Sequence, residues 1–312
     1  MAKRRNNKKD LLSSGRKEKF TVGQFILGLL LVLFTLFCLI PMWIVIMAAF
    51  TDDTYITQNG YSLLPIGHWS LSGMKAVLKY GSMLRSSYIV TIGVTVIGTF
   101  VGLLIMSMFA YSISRKEFRL AKFLSIWLLI PMLFNGGTLS GYLIFTKYYN
   151  LKNNLLVLIL PLCVSTMNVI ILRTYIVNSI PGELVEAARI DGAGEYRTFF
   201  GIVLPLMKPS MAAVGFMMAT AYWNDWQNAL LFITEKNKKP LQLLLINIQN
   251  SIQTLLNNGN IPQAARNAMG GAIPEHSATM ATVLVVIGPI MIAYPFFQKY
   301  FVKGLTVGSV KG

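Results

Sequence analysis

Charge is scarce in this chain, and negative charge is scarcest. Asp and Glu number 12 against 28 Lys and Arg, and together they make up 13% of 312 residues, about half the share of an ordinary soluble domain. There are only 2 His and 2 Cys. His68 and His276 fall in separate loops, and Cys38 and Cys163 fall inside apolar runs. That usage excludes a disulfide framework and any metal-ligand spacing, so no metal site is expected. The chain also lacks a G-x-x-x-x-G-K-[ST] phosphate cradle, an H-E-x-x-H helix and a G-x-S-x-G elbow. The glycines of "NGGTLSG", residues 135–141, do not have dinucleotide-motif spacing. No catalytic residue and no cofactor of the chain's own is therefore expected.

What the chain has in abundance is apolar length. Hydrophobic residues make up 54% and the mean hydropathy is +0.57. Six stretches, 23–50, 86–113, 123–146, 155–177, 203–233 and 278–301, are long enough for a ~30 Å hydrocarbon core, which takes roughly 20 helical residues. Backbone groups in lipid must be satisfied within the segment, and the short alternation of a membrane barrel is missing. The expected fold class is all-α integral membrane with six transmembrane helices. The net charge of +16 then points to a membrane surface and lipid, not to nucleic acid.

Lys and Arg placement orients the spans. With the N-terminus in the cytoplasm, the tail, the 114–122 connection, the 178–202 connection with its flanks and the C-terminus together hold nineteen of the 28 basic residues. Both termini are then cytoplasmic in a multi-pass protein of a bacterial plasma membrane. Residues 1–20 form a basic tail expected to lie against anionic lipid, and residues 21–312 form the membrane domain. A long loop, 234–277, falls outside. Its "LQLLLINIQNSIQTLL" is suited to an amphipathic helix or hairpin on the outer surface.

Asp225 is the only acid within an expected span. Asn224 and Asn228 lie four residues apart, with Tyr222, Trp223 and Trp226 around them. Two readings fit: an aromatic belt with amides joining helices, or a sugar-facing wall of aromatic faces and hydrogen-bonding groups.

A third of the acids collect in "ELVEAARIDGAGEYRTFFGIVLPL", residues 183–206: Glu183, Glu186, Asp191 and Glu195. Ser179 is placed to cap a helix over 182–194, with Pro181 in its first turn and Glu183 complementing its dipole. Leu184, Ala187, Ala188 and Ile190 supply a short apolar face, and Asp191-Gly192 ends the helix. A second short helix runs from Glu195 to Phe200. Pattern alone leaves an ordinary interfacial linker as open as a docking element.

That stretch resembles the EAA loop of binding-protein-dependent ABC importer permeases, written E-A-A, three residues, G, nine residues, I, one residue, L-P. Glu186, Ala187, Ala188, Gly192, Ile202, Leu204 and Pro205 meet every spacing. "YWNDWQNALLFI" resembles the fifth span of carbohydrate-uptake permeases of the maltose-transporter type, and "QKYFVKGLTVGSVKG" their C-terminal signature. "PMLFNGGTLSGYLIFTKYYNLKNN" is similar to the oligosaccharide-importing group. The resemblance implies the type I importer permease fold, with 182–194 as a cytoplasmic coupling helix. It also implies a second permease subunit (a homologue favoured over an identical copy), an ATPase dimer carrying ATP and Mg, and an extracellular sugar-binding protein. Glu183, Glu186, Ala187, Ala188, Arg189, Asp191 and Gly192 are then the ATPase-coupling residues. The expected substrate pathway comprises Asn224, Asp225, Trp226, Asn228, Tyr222, Tyr142 and Asn168. The alternatives are an ABC permease for a non-sugar solute and a stand-alone secondary transporter, for which Asp225 alone offers ion coupling.

Overall fold

The computed structural model describes residues 22–79, 81–257 and 275–306, with side chains left out at 251–257, 275, 293, 294 and 296–306. The basic tail, residues 307–312 of the C-terminal signature and residues 258–274 of the long loop lie outside the described residues. No strand occurs among those described; the backbone folds into helices α1 (Val22–Ala49), α2 (Asp53–Asn59), α3 (Ser72–Leu78), α4 (Gly81–Ser114), α5 (Ala121–Leu133), α6 (Gly137–Leu143), α7 (Leu156–Cys163), α8 (Thr166–Ser179), α9 (Gly182–Ile190), α10 (Glu195–Thr198), α11 (Lys208–Trp223), α12 (Gln227–Phe232), α13 (Leu241–Asn257) and α14 (Glu275–Thr306).

The stretches read as six spans take several forms. Two, α1 and α4, are unbroken helices long and apolar enough to cross a membrane. Three others are bent pairs: α5 with Gly137–Tyr148 turns by 112°, α7 with α8 by 51°, and Glu195–Leu206 with α11 by 78°. The expected 123–146 helix therefore breaks at Phe134–Gly136. There Pro131 weakens the last turn of α5 and Gly137 takes φ +80, a conformation that favours glycine. The 203–233 stretch is likewise not one helix, since α11 stops at Trp223 and α12 begins at Gln227. The sixth stretch lies on α14, whose described apolar part is His276–Ile292.

Around α4 the helices approach closely. Gly98 and Gly102 lie four residues apart and are both buried, the small-residue spacing that lets membrane helices meet; Met106 and Ala110 continue the same buried face. A Cβ at Gly102 would lie 2.6 Å from the Cys163 carbonyl oxygen. The α7–α8 break thus rests directly on the α4 backbone. At that break the Ser165 N–H donates to Met106 Sδ at 3.4 Å, and the Thr166 hydroxyl donates to the Leu128 carbonyl of α5 at 3.0 Å. The buried Tyr222 hydroxyl of α11 donates to the Ile159 carbonyl at 2.8 Å. These contacts centre a core that includes Val94, Met106, Val157, Val169, Leu172, Val214 and Met218.

The sequence places α13 on an outer surface; the structure instead packs it into the protein. Leu241, Leu243, Leu244 and Ile248 are buried, and the Leu241 N–H donates to Thr91 Oγ1 of α4 at 2.8 Å. Its apolar face therefore meets helices and not lipid headgroups. At the same end, Asp53 accepts from the Ser277 N–H at 2.9 Å and so holds the start of α14 against α2. By contrast α1 stays exposed from Val22 to Trp43 and buries only Met47, Ala48 and Ala49 near its end.

Replacing Gly102 with Val should force α4 away from the α7–α8 break and cost about 1–3 kcal/mol as an overpacked core position. Thermal unfolding of the purified chain in detergent checks this, and Gly93→Val, which meets nothing within 4 Å, is the matched control.

Candidate functional site

The α9 segment is closed at both ends by backbone geometry. Pro181 stands at the N-cap with an extended ψ of 129 and no side-chain cap. Ser179, expected as the cap, is instead the last residue of α8. At the other end Gly192 takes φ +76, its N–H bonds to the Arg189 carbonyl at 3.0 Å, and the Ala193 N–H bonds to the Ala188 carbonyl at 2.8 Å. This pair of bonds around a left-handed glycine is a Schellman ending, so Asp191-Gly192 stops the helix as the sequence indicates.

The inward face differs from the expected one. Val185 and Ala188 are buried, while Leu184 is 44% and Ile190 86% exposed. Ala187 is exposed as well. Three residues per inward step tilt the helix so that only one narrow seam meets the core. Glu183, Glu186, Asp191 and Gly192 point outward with Leu184 and Ile190. Acids and bare aliphatic side chains thus share a surface that the rest of the described chain leaves uncovered.

Two residues of this stretch, Arg189 and Glu195, are engaged by other parts of the fold although half exposed. Glu195, at the start of α10, accepts from the Tyr111 hydroxyl at 2.6 Å and from Arg189 through Nη2 at 2.6 Å and Nε at 3.2 Å. Arg189 also lies 4.0 Å from Glu117, which Arg115 approaches at 3.5 Å. The Arg115 guanidinium sits 5.8 Å from the Tyr111 ring centre, within cation–π range. The chain of contacts ties α9 and α10 to the Ser114 end of α4. The Tyr111 hydrogen bond first, and then that of Arg189, holds the Glu195 carboxyl below its ordinary value. Glu195 and Arg189 are therefore a fold-internal pair. Tyr111 and Glu117 escaped the sequence reading: Tyr111 is 84 residues from Glu195, and no local spacing links them.

The expected substrate residues fall into four settings. Asp225 accepts from the Asn228 N–H at 3.1 Å and from its side-chain amide at 2.9 Å, and so caps α12. Asn224 accepts from Gln242 of α13 at 3.0 Å; Trp226 is 43% exposed. These four make one polar corner where α11, α12 and α13 meet. Tyr222 does not belong there: it is 3% exposed and spends its hydroxyl on the Ile159 carbonyl. Tyr142 stacks on Phe232 with ring centres 5.5 Å apart. Asn168 lines a cleft of about 560 Å³ at the α7–α8 break, with Pro131, Ser165, Thr166, Met217 and Ala221 among its walls. Met217 and Ala221 face the cleft from one side of α11, and the polar corner lies just beyond the end of that helix at Trp223.

Broken apolar helices, closely packed around α4 and joined by one short amphipathic helix, are the architecture of a membrane transport subunit. The family model for the "binding-protein-dependent transport system inner membrane component" matches residues 12–307, and the chain belongs to that family. It is 34% identical over 282 residues to the polygalacturonan/rhamnogalacturonan transport system permease protein YtcP of Bacillus subtilis, covering 90% of this chain and 96% of that one. It is 29% identical over 276 residues to the arabinooligosaccharides transport system permease protein AraQ of Halalkalibacterium halodurans, covering 87% and 91%. A crystal structure of a bacterial ABC transporter involved in the import of the acidic polysaccharide alginate contains a chain with the same fold, at a TM-score of 0.77 and 24% identity, over 91% of this chain and 100% of that one. The type I importer permease fold expected from the sequence is the fold observed.

Tyr111→Phe and Glu195→Gln should each destabilise the chain by about 1 kcal/mol, the low end for a charge-assisted bond because the pair is half exposed. Since the folded-state pKa of Glu195 is depressed, its contribution is present above the ordinary glutamate range and is lost as pH falls through the folded value. The gap in thermal midpoint between wild type and Glu195→Gln should therefore be widest near neutrality and narrow as pH falls below the ordinary glutamate range.

Proposed function

We propose that this chain is one permease subunit of an ATP-driven importer that takes up an oligosaccharide delivered by an extracellular binding protein. The observation that carries the coupling role is the outward face of α9: Glu183, Leu184, Glu186, Ala187, Ile190 and Asp191 are presented together and none is used to hold the described fold. In this reading both termini are cytoplasmic and α9 is the coupling helix, docked in a cleft of a separate ATPase that binds ATP and Mg. A second, homologous permease subunit and a second ATPase complete the complex. The carbohydrate relatives and the polar corner favour a sugar cargo. Asn168 in the cleft, and Asn224, Asp225, Trp226 and Asn228 above it, are the residues assigned to face that cargo.

The mechanism follows from the joints. ATP closes the ATPase pair and carries α9 with it. Arg189 and Tyr111 both hold Glu195, so the displacement enters α10 and the Ser114 end of α4 together. α4 is a 34-residue helix, about 50 Å at 1.5 Å per residue, and delivers the motion to the far side of the bilayer. Nucleotide shifts the balance between inward- and outward-open states only by as much as it binds one of them better.

Glu186→Lys, on an exposed position, should leave the chain folded yet lower transport and sugar-stimulated ATP hydrolysis at least tenfold in the reconstituted complex. Unchanged activity would remove α9 from the coupling role. Asp225→Ala with undiminished uptake of every oligosaccharide tested would leave the polar corner a purely structural cap.

A further inference from the structure

Between Asp53 and Glu183 the chain has a single acid, Glu117. It stands in the connection from α4 to α5, among Arg115, Lys116, Arg119 and Lys122. Basic residues beside membrane helices are ordinary; a lone carboxylate among them is not explained that way. Its surroundings give it a use.

Glu117 lies between two guanidinium groups. Arg115 Nη2 is 3.5 Å from its carboxylate, and Arg189 Nη1 of α9 is 4.0 Å away. The Arg115 side chain is only 14% exposed and lies over the Tyr111 ring, so it holds Glu117 in place. The Glu117 carboxyl is kept below its ordinary value, first by its own backbone N–H and then by Arg115 and Arg189. It is therefore ionised, yet at 4.0 Å it makes no hydrogen bond with Arg189.

Arg189 thus has two carboxylates within reach, and they sit on different elements. Glu195 of α10 takes its Nη2 and Nε, while Glu117 faces its Nη1. The planar fork of an arginine can serve acceptors along different edges. Glu195 keeps a second donor, the Tyr111 hydroxyl, so it is not stranded when Arg189 leaves. Arg189 is 38% exposed and the two glutamates 53% and 51%. Water screens both pairs at that exposure, and neither fixes the arginine permanently. The helix is able to follow. Residues 191–194 join α9 to α10, and a Cβ on Gly192 or Gly194 would meet nothing within 4 Å. No packing at these glycines sets the angle between the two helices.

We propose that Glu117 is a second seat for Arg189 and, through it, a positioning residue for α9. In one setting Arg189 is bonded to Glu195, as in this structure; in the other it closes the remaining distance to Glu117. The second seat rests on the reading of α9 as the coupling helix and adds a branch to that joint. The Glu195 seat passes motion to α4 through Tyr111. The Glu117 seat passes it to α5, which begins four residues later at Ala121. The far part of α5 borders the α7–α8 cleft, through the Leu128 carbonyl that Thr166 bonds and through Pro131.

Thermal unfolding of the full-length chain in detergent tests the seat by itself. Glu117→Gln alone leaves Arg189 on Glu195, and Glu195→Gln alone lets it shift to Glu117. The midpoint loss of the double variant should therefore exceed the sum of the two single losses, as for coupled sites. Additive losses overturn the second seat. The complex reconstituted with its ATPase tests the role. Each single variant leaves one seat, so the two bias the joint in opposite directions. The ATP concentration that half-saturates sugar-stimulated hydrolysis should shift by about twofold or more, upward in one variant and downward in the other. Glu117→Asp keeps the charge and should restore most of the wild-type value. No shift in Glu117→Gln, or shifts of the same sign in both variants, overturns the positioning role, since loss of a merely structural bond would act alike in both. A silent Glu186→Lys beside a more-than-additive midpoint loss removes the coupling reading and leaves the second seat standing.

Discussion

A peptide group inside a bilayer has no water to turn to, and every break in a membrane helix must be met by a neighbour. That constraint organises this molecule. Three of its apolar stretches are bent by 51° or more, and each bend strands backbone groups that a straight helix would satisfy. The α7–α8 break survives because Met106 receives the Ser165 amide, Thr166 reaches the Leu128 carbonyl and Tyr222 reaches Ile159. Trp223 likewise ties α11 to α14 by donating to the Val286 carbonyl at 3.2 Å. Aromatic and hydroxyl side chains that a hydropathy reading would count as incidental are the fasteners of the fold.

The same bends create polar room along α11. A straight α7–α8 would fill the space that Ser165, Thr166 and Asn168 now line. Gly102 sets how near α4 comes to that opening, because its missing Cβ lets the Cys163 carbonyl rest on the helix. Packing on one side of the break and the cleft on the other are therefore two faces of one geometric decision.

Helix class, the position of the apolar stretches and the end of α9 at Gly192 were legible in the sequence, because each depends on residues close together in the chain. Hydropathy over twenty residues and a glycine in a left-handed turn are local facts. The bends were less legible: Pro131 and Pro161 were visible, but whether a proline kinks or is tolerated depends on which neighbour takes up the freed groups. The inward face of α9 was misjudged for a related reason. Leu184 and Ile190 are as apolar as Val185, and only the docking angle against Ile180, Phe199 and Val203 decides which side is buried. Tyr222 looked like part of an aromatic site because Trp226 lies four residues away; its partner, the Ile159 carbonyl, is 63 residues distant. The ion pair of Arg189 with Glu195 spans six residues and was within reach, yet Tyr111, which completes it, was not.

The α7–α8 break also has a history within each newly made chain. Met106, which receives its amide, precedes Ser165 by 59 residues, while Tyr222 follows Ile159 by 63. Ribosomes add roughly 5–20 residues per second, so the bent segment leaves the translation machinery with the fasteners of α4 and α5 already made and the third several seconds away. During that interval the half-built bend leans on α4 and α5. Biosynthetic order thus gives those two helices the part of an internal chaperone, a duty that the finished structure no longer displays.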